Sequence, residues 1–488
     1  MDVKTDVRLR CASAMRGGVV DRAQLHHSLP VRLLAIGQPS YDVVPMKILM
    51  AVERLKPTGG VEMTALQMSE ELAKRGHVID LLYEVDGELT AAYSRFCRSM
   101  TQVPRLRCGP KVVLRSIRRC IPVAWNARRV HRPDVVLVHN LMDVPWGIIV
   151  AAASGSALVC LLHEVDPYHR LTVRILRNQV DRFIAVSDFV RDQWIELGLD
   201  PQRLDTVYCG IALERYPFGG MAEHKAARTA LGLPAEGFIA LYLGRLDPVK
   251  CVNVLLEAWG RLTTDPAQRR LVLLGSPVLH RDPDVYLREL KAAAPPSCVW
   301  IPMQSDVVQP LHAADIVVHP PQQEPLGRVV LEGLATGRPV LASRVGGIPE
   351  ILTDELSRFL VDPGDVAGFT RGMESLMNWR ISEPELARKC FTRVADHFTL
   401  AQSVNRLEES LSYAVSNRRR RGFIGRILRR KTPPNVSTRD VNWFGGGQSG
   451  RTRASFLDRP SASERGTTPS GCRRDGFGAR PRWEVRSG

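Results

Sequence analysis

Residues Gln323–Glu350 read QEPLGRVVLEGLATGRPVLASRVGGIPE. An apolar run, Asp315–His319, leads into this stretch, and a second, Pro339–Ser343, lies within it. With a helix expected from about Gly327 to Ala335 between them, the order is that of a parallel sheet with a crossover helix. The amides of about Leu326–Val329 would form the helix N-terminus, where unpaired N–H groups and the macrodipole favour an anion. Glu324 lies just before that helix and Glu332 inside it. Side chains lean toward the N-terminus of their helix, and Glu332 is roughly 7–8 Å down the axis. That offset suits a carboxylate gripping ribose hydroxyls while the amides hold a diphosphate, with Glu324 reaching a sugar from the other side. Gly346-Gly347 forms a second turn that admits close backbone approach. An isolated pair of glutamates would read as a solvated cap and a surface group; the Gly-Pro setting and flanking strands favour a site.

Upstream, Phe238–Leu243 (FIALYL) is a buried-strand run followed directly by Gly244-Arg245, with Lys250 before a helix over Asn253–Leu262. Strands at Leu271–Leu274 and near Val299–Ile301 complete a second alternation. In open α/β sheets ligands sit outside the carboxyl ends of strands. Two cations there suit a diphosphate, Arg245 with bidentate contacts and Lys250 as a point charge; taken alone they also read as surface cations. An earlier alternation opens with Lys47–Val52, the turn Pro57-Thr58-Gly59-Gly60, and Val61, Ala65, Met68 and Leu72 at helical spacing. Gly76 stops that helix and His77–Val85 is the next strand, with further strands at Val135–His139, Ala157–Leu162 and Arg182–Val186. Gly59 and Gly60 would bring backbone N–H groups close to phosphate or sugar, or serve only as a turn. His163-Glu164 ends a buried strand, where an imidazole could bond a sugar hydroxyl or meet charge near a reacting carbon, or be satisfied locally. His139-Asn140 reads as an ordinary strand end.

Several chemistries are excluded or unsupported. The chain has no GxGxxG and no GxxxxGK[ST], so dinucleotide and P-loop readings lack support. Ten scattered cysteines without a CxxC pair argue against a zinc site or a disulfide framework and suit a reducing cytosol. No metal or cofactor is expected. Asp282-Pro283-Asp284 resembles a metal-binding DxD but sits in a Pro-rich stretch and reads as a loop. Val144–Leu162 is uncharged over 19 residues, yet Ser154-Gly155-Ser156 splits it into a helix and a strand.

The 488 residues carry a net charge of +16, and the segment from Asn417 onward, with 18 Lys/Arg against 5 Asp/Glu, accounts for +13 of it. The expected organisation is an extension over 1–45, an α/β domain over 46–215, a second over 216–398, a helix over 399–416 packing back on the first domain, and a basic tail over 417–488, disordered past 431. Residues 95–132 hold 11 Lys/Arg and no Asp/Glu, with Val112, Val113, Ile117 and Ile121 interleaved, and 418–431 repeats the theme. Such segments suit an anionic membrane face or a solvated basic surface; without a recognisable module, nucleic acid is not an expected partner.

Together these motifs resemble glycosyltransferase family 4, a retaining family with the GT-B fold, over about Met46–Tyr413. The most specific part is the E-x7-E signature of Glu324 and Glu332. The resemblance implies that Glu324 contacts the donor sugar, Glu332 the ribose, Arg245 and Lys250 the diphosphate, and His163 the sugar near the reacting carbon. It also implies a Gly loop at Gly59–Glu62 and donor contacts at Leu326 and Gly327. VSDFVRDQW at Val186–Trp194 is family-like too. Cys251 stands where a Gly usually follows the Lys, and Cys209 where Asn is usual before Gly210. The implied protein has two Rossmann-like domains facing a cleft. It would transfer a sugar from a nucleotide-diphosphate sugar, without a metal, to a saccharide or lipid-linked acceptor in the cytoplasm or on the inner face of the plasma membrane. A non-catalytic sugar-nucleotide-binding scaffold and a sugar-nucleotide epimerase are the alternatives.

Overall fold

The computed structural model describes residues 44–57, 59–103, 122–164, 173, 177–277, 283–304 and 306–430. The expectations for 1–43, for Val112, Val113, Ile117 and Ile121, for Asp282 and for 431–488 lie outside them.

Two parallel sheets form the chain's two α/β halves. The first contains β1 (Lys47–Arg54), β2 (Val78–Val85), β3 (Ser99–Gln102), β4 (Val135–Val138), β5 (Ala157–Leu162), β6 (Arg182–Ala185) and β7 (Leu204–Thr206). Its order is β3-β2-β1-β4-β5-β6-β7. The second contains β8 (Phe238–Leu243), β9 (Arg269–Leu274), β10 (Cys298–Ile301), β11 (Ile316–His319), β12 (Val340–Ser343) and β13 (Leu360–Val361), in the order β10-β9-β8-β11-β12-β13. Crossover helices cover both faces, so the central strands are apolar without alternation: every residue of β4, β5 and β8 is buried. The short strands β3, β7 and β13 were not anticipated. All three are edge strands, and an edge strand carries no long apolar run to reveal it.

The helices include α1 (Gly60–Lys74), α2 (Val144–Ser154), α3 (Asp188–Glu196), α4 (Val252–Gly260), α5 (Pro283–Ala293), α6 (Arg328–Ala335) and α7 (Leu400–Arg430). In the uncharged stretch, α2 stops at Gly155, whose φ of 75° is left-handed, and β5 follows. Among the described residues no helix is long and apolar enough to cross a membrane. Two expectations are corrected. The segment read as a DPD loop starts α5 at Pro283, a position whose missing N–H costs a helix nothing. The final helix does not stop near residue 416; it runs to Arg430, so the basic tail begins inside it. Arginine is a good helix former, and Arg418 docks on the first half through Asp181 at 3.1 Å and the Ala151 carbonyl at 3.3 Å.

The chain crosses between halves near Tyr216 and returns where Thr399 pairs with Ile211. Helix α7 then packs on the first half: Glu408 accepts from Arg75 at 2.8 Å and contacts His77 at 2.9 Å, and Ser403 Oγ accepts from the Gly210 amide at 2.8 Å. The carboxyl edges of the two sheets face each other. After β6, Ser187 Oγ donates to the Pro325 carbonyl beyond β11 at 2.6 Å. The amides of Asp188 and Phe189 donate to the Glu350 carboxylate beyond β12, at 2.9 and 2.7 Å. Each sheet also reverses its winding beside its first strand, between β1 and β4 and between β8 and β11. Those are the crevices where such sheets bind ligands.

Candidate active site

In the second half, the loops after β8 and β11 flank the crevice. Lys250 ends the loop after β8, and its Nζ donates to Glu324 Oε2, in the loop after β11, at 2.7 Å. His319, the last residue of β11, meets the same oxygen through Nε2 at 2.9 Å. Burial pushes the Glu324 carboxyl up, but the His319 hydrogen bond and the Lys250 ammonium outweigh it and hold the group at about 2. Glu324 is therefore an anion locked in place, and Lys250 is tied to it.

Helix α6 starts immediately beyond. Its N-cap Gly327 has φ 103° and ψ 60°, a conformation that would strain any residue with a Cβ. No side chain caps this helix end and its first turn holds no acid, so the leading amides stay available to an anion. Leu326, just before the cap, is buried. The backbone of Glu324 lies against the turn after β12: Gly347 N–H donates to the Glu324 carbonyl at 3.1 Å. A Cβ on Gly346 would lie 1.7 Å from that oxygen, which is why the turn is Gly-Gly.

Arg245 follows Gly244 at the end of β8. Its carbonyl accepts from Tyr242 Oη at 2.6 Å, while its half-buried side chain makes no hydrogen bond or ion pair with the described residues. Cys251, standing where a glycine was expected, does take the left-handed conformation, φ 51° and ψ 42°. Such a backbone costs an L-residue roughly 1–2 kcal/mol. Cys209 is buried, and the neighbouring Gly210 lies against the Thr399 carbonyl of α7's leading turn.

Glu332 sits one turn inside α6 and is buried. Its Oε1 accepts from Tyr216 Oη at 3.0 Å and from Arg328 Nε at 2.9 Å. Arg328 also crosses to the first half, Nη2 donating to Gln67 Oε1 on α1 at 2.8 Å. Gly60, the first residue of α1, lies beside it: a Cβ there would be 3.8 Å from Arg328 Cδ. The Gly59-Gly60 turn thus faces the start of α6 across the gap.

On the first half's rim, His163 beyond β5 stacks on His139 beyond β4, with ring centroids 5.4 Å apart and Nε2 of His163 3.1 Å from Nδ1 of His139. Burial lowers His139 to about 4, and burial followed by the neighbouring His139 lowers His163 to about 3. Both imidazoles are neutral at neutral pH. Asn140 is a local cap, accepting from the Met142 amide at 2.9 Å.

The structure thus binds Lys250 to Glu324, sets Leu326 and Gly327 between Glu324 and Glu332, and brings Gly60 to the Arg328–Glu332 pair. Arg245 and His163 share the facing edges without bonding to either glutamate. His319, Tyr216, Arg328 and Gln67 were not singled out from sequence. His319 carries a usable signal, since it ends a strand five residues before Glu324. Gln67 and Tyr216 carry none, because folding alone brings them to Glu332.

Residues 58–215 match the family described as Glycosyltransferase Family 4, and residues 223–392 match Glycosyl transferases group 1. A D-inositol 3-phosphate glycosyltransferase from Mycobacterium sp. (strain JLS) is 31% identical over 324 residues, covering 65% of this chain and 70% of the relative. One of the same name from Saccharomonospora viridis is 36% identical over 257 residues, covering 50% and 56%. Among solved structures, HepE from Anabaena in complex with UDP-glucose aligns with a TM-score of 0.65 at 21% identity, over 75% of this chain and 100% of that one. A glycosyltransferase from Rickettsia africae ESF-5 aligns with a TM-score of 0.67 at 18% identity, over 77% and 100%.

Proposed function

Since the chain belongs to glycosyltransferase family 4 and has the two-domain GT-B fold, we propose that it transfers a sugar from a nucleotide-diphosphate sugar to a saccharide or lipid-linked acceptor. The observation that carries this reading is the Lys250–Glu324–His319 cluster beside the uncapped N-terminus of α6, at the winding reversal of the second sheet. An anionic leaving group there meets helix amides, Lys250 and the side chain of Arg245, which has no partner among the described residues. Preorganised donors of this kind stabilise charge as it develops in the transition state, so the chemistry asks for no metal ion. Glu332 lies far enough along the helix to take the ribose, and Glu324, in the loop before it, is placed to take the sugar.

The reaction retains anomeric configuration. The bond from the anomeric carbon to the diphosphate oxygen breaks, the acceptor oxygen bonds the same face, and its proton passes to the departing phosphate. Neutral His163 is a hydrogen-bonding partner for the sugar rather than a cation. The first half receives the acceptor. Cell-surface polysaccharide or glycolipid synthesis at the cytoplasmic face of the membrane suits the basic segments 95–132 and 418–431.

Thermal-shift screening against UDP-, GDP- and ADP-sugars identifies the donor. Acceptor trials should set lipid-linked saccharides beside D-inositol 3-phosphate, the substrate in the relatives' name. Lys250→Ala assayed with the radiolabelled donor should lose about a hundredfold or more in turnover. Unchanged turnover would remove Lys250 from the mechanism.

A further inference from the structure

We infer that Arg328 is a positioning residue for Glu332, and that it couples the grip of Glu332 on a nucleotide's ribose to contact between the two halves. This rests on the donor reading above.

The geometry divides one guanidinium between two domains. Nε serves Glu332 Oε1 on its own helix at 2.9 Å, and Nη2 serves Gln67 Oε1 on α1 of the other half at 2.8 Å. Tyr216, on the segment that joins the halves, places its hydroxyl on the same Glu332 oxygen at 3.0 Å. Both donors fall on Oε1. The other oxygen, Oε2, has no hydrogen bond to a described residue and is left to accept from a ligand hydroxyl. A carboxylate held through one oxygen by two converging donors, Arg328 Nε and Tyr216 Oη, cannot rotate without breaking those bonds, so Oε2 is aimed before a ligand arrives.

The other arm ties this aim to the domain contact. Glu332 is the only carboxylate bonded to Arg328 among the described residues, and Nη1 is buried with no partner among them. If the halves separate, Nη2 loses Gln67, and the guanidinium that orients Glu332 loses its second anchor. By reciprocity, a ligand that fixes Glu332 strengthens the contact between halves. Gly60 lies beside the same group: a Cβ there would make ordinary contact with Arg328 Cδ at 3.8 Å, so α1 begins against the Arg328 side chain.

The test compares binding of ribo and 2′-deoxyribo forms of UDP, GDP and ADP by calorimetry. The variants are Arg328→Leu, Glu332→Gln, the double variant and Gln67→Leu. The wild type should prefer one ribonucleotide over its deoxy form by about tenfold or more, the size of a hydrogen bond to a charged group. Arg328→Leu and Glu332→Gln should each erase most of that preference, and the double variant should erase no more than either alone. Gln67→Leu should reduce it severalfold. A folded Arg328→Leu that keeps the full preference while Glu332→Gln loses it overturns the inference and leaves the donor reading standing. Should Arg328→Leu not fold, Gln67→Leu decides, and an undiminished preference there overturns the coupling. If no diphosphate binds the wild type, or Glu332→Gln keeps the preference, the ribose assignment itself fails and the inference with it.

Discussion

Lys250 Nζ and Glu324 Oε2, 2.7 Å apart, join the loop after β8 to the loop after β11 across the winding reversal of the second sheet. The two residues are 74 positions apart in the chain. Their side chains are 13% and 14% exposed, so the pair is shielded enough for its attraction to outweigh solvent screening. The contact positions both groups: loss of Glu324 would free Lys250, while loss of Lys250 would leave Glu324 with His319 alone.

Acid should reveal this pair. Glu324 titrates near 2 in the fold against an ordinary 4.5. A depressed carboxyl stabilises the fold above its unfolded value, and that stability is lost as pH falls from about 4.5 toward 2. The shift corresponds to roughly 3 kcal/mol. His319→Gln should flatten this part of the stability profile in denaturant melts between pH 5 and 3. An unchanged profile would mean that His319 does not hold Glu324 down.

The histidine pair should show itself at milder pH. His139 and His163 are depressed to about 4 and about 3 from 6.5. Above pH 6.5 both rings are neutral whether the chain is folded or not; as pH falls from 6.5 toward those values the unfolded chain takes up protons that the fold refuses, and stability is lost. At pH 5 the loss is on the order of 2 kcal/mol for each imidazole. His163→Gln should lessen the drop in Tm between pH 7 and 5. NMR detection of either ring as a cation at pH 6 would contradict the buried, paired geometry.

The turn after β12 should tolerate no side chain. In Gly346→Ala the new methyl would meet the Glu324 carbonyl at 1.7 Å, on a backbone whose φ is 57°. The loop carrying Glu324 must then move. A stability loss of about 2–4 kcal/mol is expected from strain of this kind, with donor binding weakened even where the variant folds. Normal stability and binding would show that the turn does not support the site.

The basic segments 95–132 and 418–431 should seek anionic lipid. Trp125 is 51% exposed, with Arg129 stacked 4.1 Å from its ring centroid. The protein should pellet with phosphatidylserine vesicles, be released by salt, and shift its tryptophan emission on binding, since each cation near such a surface contributes roughly 1 kcal/mol. Equal binding to neutral vesicles would rule out the electrostatic account.

Much of the fold was legible because its signals are local. FIALYL and ALVCLL are apolar without alternation because they are covered on both faces, and Gly327 marks its helix start because only glycine tolerates that φ without strain. The edge strands and the far end of α7 were not legible. Nothing in SMTQ or LV demands a strand, and the basic run past Asn417 reads equally as tail or helix until Arg418 meets Asp181.

For the site, local signals suffice to name the charged groups at strand ends and helix starts, since turn chemistry and apolar spacing act over a few residues. Their partners come from packing between distant segments: Lys250 and His319 share one oxygen of Glu324, His163 stacks on His139, and Arg328 reaches Gln67. Those pairings depend on which strands lie side by side and how the halves meet. Both are settled by burial summed over the whole chain, which no short stretch of sequence records.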